Sequence, residues 1–265
     1  MEITSVQNPK VKQVVRLQQN ARERRESNVF VVEGVREFSL AQRAGYKLIS
    51  VFICSNVYTT DGQYPIELPE NDSEKLFEVS REVYCKMAYR EGVEGIIGVF
   101  ESQFLGLSQL PETKNPLILV LEKVEKPGNL GAIFRTADAA GVTAIIICDA
   151  ACDPFNPNAI RSSVGCVFSV PWAICSGSDA ISWLRQKGIS IFSSTPAGKS
   201  SYFDVNYTAP AAIVMGAEDT GLSVQWLNAA DKTLLIPMQG SIDSLNVSVS
   251  AAVLLFEAVR QRKLL

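Results

Sequence analysis

From residue 117 onward, short apolar runs alternate with helical lengths of chain, and this alternation constrains the fold more than any other feature. Leu117 to Leu121 reads as a strand, Leu130 to Ala140 as a helix closed by Gly141, and Ala144 to Cys148 as the next strand. Asn156-Pro157 starts a further helix through Val164, because an asparagine cap followed by proline at the first helical position suits the orphan amides there. Ile181 to Gln186 reads as helix, and Ile189 to Ser193 and Ala212 to Met215 as strands. Strands apolar along their whole length need cover on both faces. The sequence therefore predicts an α/β fold with a mainly parallel, covered sheet.

The first hundred residues predict a smaller α/β unit of their own. Asn8-Pro9 opens a helix through Val11, Val14, Val15 and Leu17. Val29 to Val32 is a strand ending at Glu33-Gly34, Val35 to Arg43 a helix closed by Gly45, and Leu48 to Ile53 a strand. Glu70 to Tyr89 reads as one or two helices and Gly95 to Phe100 as another strand. Residues 105–116, LGLSQLPETKNP, are polar and proline-bearing and read as a linker. The expected domains are 1–104 and 117–265.

The final stretch, residues 235–260, is LIPMQGSIDSLNVSVSAAVLLFEAVR. Leu234 to Ile236 reads as a short strand stopped by Pro237, which cannot continue a ladder. Met238 to Asp243 is a loop turning at Gly240, and Ser244 is the expected helix cap. From Leu245 to Val259 nearly every residue is apolar or small, so this helix is expected to be buried on most of its surface. Ser244, Asn246 and Ser248 then face one crevice. On the residues alone, an interior helix with satisfied serines is slightly favoured.

Several chemistries are excluded. The 265 residues contain no histidine, which removes Ser-His and Cys-His nucleophile systems and every His-ligated metal site. The six cysteines form no CxxC pair, so buried, inert thiols are expected and no metal. SSTPAGKS, residues 193–200, ends like a phosphate loop, but Ser193 stands where that loop needs glycine. No apolar run is long enough to span a membrane and the start lacks a secretory pattern, so a cytoplasmic location is expected. The net charge of −3 does not announce a nucleic-acid binder, but Lys10, Lys12, Arg16, Arg22, Arg24 and Arg25 crowd one segment against the single acid Glu23. That excess could meet phosphates or be a solvated helix face; spacing does not separate the two.

Three segments change the reading. PGNLGAIFRTADAAG at 127–141, MGAEDTGL at 215–222 and IPMQGSIDSLNVSVS at 236–250 resemble, in order, the first, second and third signatures of the SpoU/TrmH family of RNA 2'-O-ribose methyltransferases. The opening, ITSVQNPKVKQVVRLQQNARERRESNVFVVEGVREFSLA, resembles more loosely the ribosomal-protein-like substrate-binding domain attached to many such enzymes. The resemblance implies a C-terminal SPOUT domain with a deep trefoil knot threaded from about Ile213 onward, a homodimer, and S-adenosylmethionine as methyl donor. It implies that Asn129 orders the site and that Arg135 contacts the reactive ribose or its phosphate. Spacing alone would have Arg135 pair with Asp138 on the helix surface. By the same resemblance Glu218 is a site carboxylate and Ser244 and Asn246 face the reaction centre. Gly216, Ile236, Met238 and Leu245 meet the donor, and Thr195 walls its pocket.

Arginine stays protonated in proteins, so stabilising a developing alkoxide is physically easier for Arg135 than acting as base, though the sequence leaves both open. The preferred substrate is ribosomal RNA, with transfer RNA as the alternative and a catalytically silent RNA-binding protein as the reading from another class. Departures from the family pattern are Lys126 where an acid often precedes the proline, Ala217 in the second signature and Ser250 in the third.

Overall fold

The computed structural model describes residues 2–58, 64–69, 74–89 and 94–263. The chain forms two compact units, one of Met1–Gln103 with Asp153–Ser169, the other of Phe104–Cys152 with Val170–Leu265. The expected linear division therefore differs in one segment, 153–169, which lies inside the second expected domain yet folds with the first unit.

The first unit holds a mixed sheet of β1 (Glu2–Ile3), β2 (Val29–Glu33), β3 (Leu48–Ile53), β4 (Leu76–Val79) and β5 (Ile96–Glu101), in the order β1-β4-β3-β5-β2. β5 runs antiparallel to β2 and β3, and the other pairings are parallel. Asn8 accepts from the Lys10 amide at 2.9 Å and starts the helix Pro9–Gln19, as the cap-proline signal predicts. Val11, Val14 and Leu17 are buried in one cluster with Val31, Val99, Phe52 and Phe77. Alternation along β2 and β5 sends Phe30 and Phe100 to the opposite face. There Phe155 stacks on Phe30 with centroids 4.1 Å apart, and Phe168 follows at 5.7 Å. Those two aromatics are why 153–169 belongs with this unit.

One expectation is corrected here. Between Glu70 and Tyr89 the structure has the strand β4 and one helix, Arg81–Met87, rather than one or two helices; residues 70–73 lie outside the described residues. Leu-Phe-Glu-Val alternates inward and outward, and it pairs with β1 and β3, so tertiary pairing sets the conformation.

The second unit is a seven-stranded, wholly parallel sheet of β6 (Leu117–Glu122), β7 (Ala144–Cys148), β8 (Trp172–Cys175), β9 (Ser190–Ser194), β10 (Ser200–Ser201), β11 (Ala211–Met215) and β12 (Lys232–Leu235). Their order is β10-β12-β9-β11-β6-β7-β8. β6, β7 and β11 are buried at every position, the double cover that their apolar runs require. β8 and the helix Val224–Ala229 have no counterpart in the sequence reading. Four-residue runs such as Trp172–Cys175 sit below the length at which period is readable. Trp226, fully buried on that helix, fills one side of the core with Leu184, Ile146 and Val214. Gly198 lies so close to the Leu234–Leu235 backbone that a Cβ has no room. Gly198→Ala is expected to cost about 1–3 kcal/mol, read by denaturant unfolding, since the obstacle is backbone that cannot rotate away.

On the other side of the sheet the helices Pro127–Ala140 and Val247–Lys263 pack together. The C-terminal helix starts two residues later than expected and is capped by Asn246, whose Oδ1 accepts from the Ser248 amide at 2.9 Å. Ser244 is not the cap; its hydroxyl bonds Asp243. Nor is the helix buried on most of its surface. Val247, Ala251, Leu254, Leu255 and Ala258 make the inward stripe, while Val249 and Phe256, seven residues apart, are each 48% exposed. At its far end Arg262 donates to the carbonyls of Tyr207, Asn115, Pro116 and Ala209, tying the helix to the segments that lead into β6 and β11. No helix among the described residues is long and apolar enough to cross a membrane.

Candidate active site

The site forms where parallel strands end, the edge at which open α/β sheets place ligands. β12, β9, β11 and β6 are consecutive neighbours, so Ile236, Thr195, Gly216 and the segment after Glu122 leave one edge side by side. Thr195 is held there by its amide bond to the Leu234 carbonyl, at 3.0 Å. The Gly216 Cα faces the Gly221–Leu222 backbone with no space for a side chain, so the glycine is required by the turn itself. Ala217 and Gly221 close that turn through a 3.0 Å backbone bond, with Gly221 at φ 66°. Glu218 sits in the turn. Buried Glu122 accepts from the Ser223 amide at 2.8 Å and fixes the turn's exit.

Three separated segments meet at Glu218. Asn129, in the first turn of the helix Pro127–Ala140, donates from Nδ2 to Glu218 Oε1. Asn246 Nδ2 donates to the same oxygen at 3.0 Å and reaches Asn129 Oδ1 at 3.3 Å. Lys126 Nζ donates to the other oxygen, Oε2. That contact raises the Lys126 pKa above its ordinary value, through the hydrogen bond first and the Coulomb attraction second. Asn246 Oδ1 is in turn occupied by the Ser248 amide and hydroxyl, so both asparagine side chains have a fixed orientation. Around them Val124, Glu125, Lys126, Asn129, Glu218, Asp219 and Val247 line a cleft of about 140 Å³.

Of the expected catalytic residues, Asn129, Glu218 and Asn246 are thus brought together. Arg135 and Ser244 are not part of this cluster. Arg135 follows Asn129 by six residues, about 9 Å along the helix and on another face. It is exposed. Met238 and Leu245 are half-buried in the connection from β12 to the C-terminal helix. Ser248, expected to face the crevice, enters the site through Asn246, and Lys126 enters it without having been assigned a role; the lysine's signal was its place directly before Pro127, where the resembled signature often has an acid.

In the first unit the basic residues divide. Lys12 and Arg25 are exposed and without an ion pair among the described residues. Arg22 pairs with Glu26 at 2.6 Å, Arg16 lies 3.9 Å from Glu23, and Lys10 stands 4.6 Å over the Phe77 ring. Arg24 is a correction to the phosphate-contact set. It is 3% exposed, bonds Asp153 at 2.7 Å and donates to the Leu17 and Gln18 carbonyls, which leaves it facing inward.

Comparison with known proteins identifies the families to which both parts of the chain are similar. Residues 116–256 match the SpoU rRNA Methylase family, and residues 8–98 match an MRM3-like substrate binding domain. A 23S rRNA (uridine(2479)-2'-O)-methyltransferase of Streptomyces viridochromogenes is 30% identical over 92% of this chain and 86% of its own length. The crystal structure of an RNA 2'-O ribose methyltransferase is 38% identical, with a TM-score of 0.84 over 99% of this chain and all of that one. An AdoMet-bound rRNA methyltransferase from Sinorhizobium meliloti is 31% identical, with a TM-score of 0.88 over 98% of this chain and 97% of that one. With more than half of its length matched by the family model and near-complete relatives at these identities, the chain belongs to the SpoU rRNA methylase family of RNA 2'-O-ribose methyltransferases.

Proposed function

We propose that this protein transfers the methyl group of S-adenosylmethionine to a ribose 2'-hydroxyl of ribosomal RNA. The observation that carries the reading is the meeting of Asn129, Glu218 and Asn246, one from each of three distant segments, at the C-terminal edge of a parallel sheet. The ribosomal substrate is supported by relatives that align with over nine-tenths of the chain. The donor suits the residues present. Ile236, Met238 and Leu245 offer apolar cover and main-chain groups for an adenosine, with Thr195 and Gly216 on adjoining strand ends. The carboxylates of Glu125, Glu218 and Asp219 around the cleft suit a cation. When bound, the donor supplies an activated methyl on a sulfonium, and the reaction is a direct displacement.

The chain's own task is alignment and charge. Glu218 holds the Asn129 and Asn246 amides in one orientation, and Ser248 locks the second of them. Arg135 stabilises the alkoxide that develops as the hydroxyl loses its proton, and it holds the neighbouring phosphate. Ser244 borders the reaction centre from the loop before the C-terminal helix. Because Arg135 leaves its helix on a different face from Asn129, we assign it to the cleft of a second copy. The exposed apolar Val249 and Phe256 on the C-terminal helix support a homodimer.

The knot belongs to the same proposal. The chain crosses from β12, next to the edge strand β10, back to a helix packed on Pro127–Ala140. The reading also gives the protein an RNA-binding domain at 1–104, joined in the fold by the segment 153–169, and a methyltransferase domain in the rest of 117–265; it places the protein in the cytoplasm and assigns Lys10, Lys12, Arg16, Arg22 and Arg25 to RNA phosphates. The experiment is transfer of labelled methyl to separated ribosomal and transfer RNA. Label in ribosomal RNA supports the reading, label confined to transfer RNA replaces the substrate, and absence of donor binding would return the protein to the silent RNA-binding class.

A further inference from the structure

We propose that Lys126 is a positioning residue, its ammonium group holding the Glu218 carboxylate where that group fixes the amides of Asn129 and Asn246; the inference rests on the methyl-transfer reading above. The first observation is that lysine is badly placed for its own helix. It occupies the N-terminal cap position of Pro127–Ala140 and makes no side-chain cap bond there. A helix N-terminus carries partial positive charge and favours anions, so a cation at the cap is locally unfavourable. The second is where its side chain goes. Nζ reaches across to Glu218 Oε2, the carboxylate oxygen that neither asparagine uses.

The division of labour on the carboxylate is complete. Oε1 takes both amides and Oε2 takes the lysine, so three donors converge and Glu218 has one orientation that satisfies all of them. Glu125 and Asp219 line the same cleft. Removing the ammonium leaves three carboxylates facing one space with no lysine among them, and repulsion turns the most mobile of them outward. An acid at position 126, common elsewhere in the family, could not hold Glu218 in this way. The contact also raises the pKa of Lys126 from its ordinary value, through the hydrogen bond first and the Coulomb attraction second.

The lysine side chain is 71% exposed, so the pair contributes little to folding and its effect falls on placement. The test uses the full chain with S-adenosylmethionine and ribosomal RNA. Lys126→Ala is expected to lower kcat about 10- to 100-fold with KM for RNA and donor affinity little changed, and Lys126→Arg to recover most of the rate. The salt dependence of RNA binding should stay as in the wild type. An unchanged kcat would overturn the inference. So would a raised KM with a shallower salt dependence, which would make Lys126 a phosphate contact instead. An inactive wild type would overturn the proposed function and this inference with it, whereas an active wild type equalled by Lys126→Ala overturns this inference alone.

Discussion

Replacing Arg135 with alanine is expected to lower kcat about 10²- to 10³-fold, the usual consequence of removing one charge-stabilising donor from a developing oxyanion. The residue is exposed, so folding stability should move by less than about 0.5 kcal/mol. Donor binding should be unaffected, because Arg135 stands apart from the residues that leave the strand ends. Steady-state kinetics with thermal unfolding of the same sample reads all three quantities. Its placement adds a sharper expectation. If Arg135 serves the cleft of a second copy, mixing the Arg135→Ala protein with an inactive Asn246→Ala protein restores part of the activity, since a mixed dimer holds one complete site. No restoration after subunit exchange would place Arg135 in its own chain's cleft.

Arg24→Ala is expected to be the most damaging substitution in the first unit, at about 3–5 kcal/mol. It removes the guanidinium from Asp153 Oδ2, on a side chain only 14% exposed, and takes its donors from the Leu17 and Gln18 carbonyls. It also unties the inserted segment 153–169 from the last turn of the helix Pro9–Gln19. Arg25→Ala, one residue away, should be nearly neutral for stability and should instead weaken RNA binding and reduce its salt slope by about one phosphate contact. Denaturant unfolding and salt-dependent binding of the two variants separate these roles. Equal stability of both would contradict the buried role assigned to Arg24.

The sequence carried the centre of the second unit because β6, β7 and β11 are buried at every position and the helices Pro127–Ala140 and Val247–Lys263 are long enough to show a period. Leu117–Glu122 and Ala211–Met215 fall within a residue of their expected bounds. Local chemistry set the cap at Asn8 as well. What was not legible depended on distant partners. Leu76–Val79 is a strand because β1 and β3 flank it, and 153–169 joins the first unit because Phe155 and Phe168 meet Phe30. Arg24 and Arg25 are adjacent and chemically identical in sequence, and only helix phase and Asp153 separate their fates. In the site, motif resemblance named Asn129, Glu218 and Asn246, but Lys126 was visible only as a departure until the carboxylate it holds was located.

The central claim concerns the atom that receives the methyl group, and nucleoside mass spectrometry of RNA modified by the purified protein tests it most directly. The account predicts a 2'-O-methylated nucleoside from ribosomal RNA, with the added mass on the ribose fragment and the base fragment unchanged, and its loss with Arg135→Ala. Methyl found on the base fragment, or ribose methylation that persists undiminished in that variant, would contradict it.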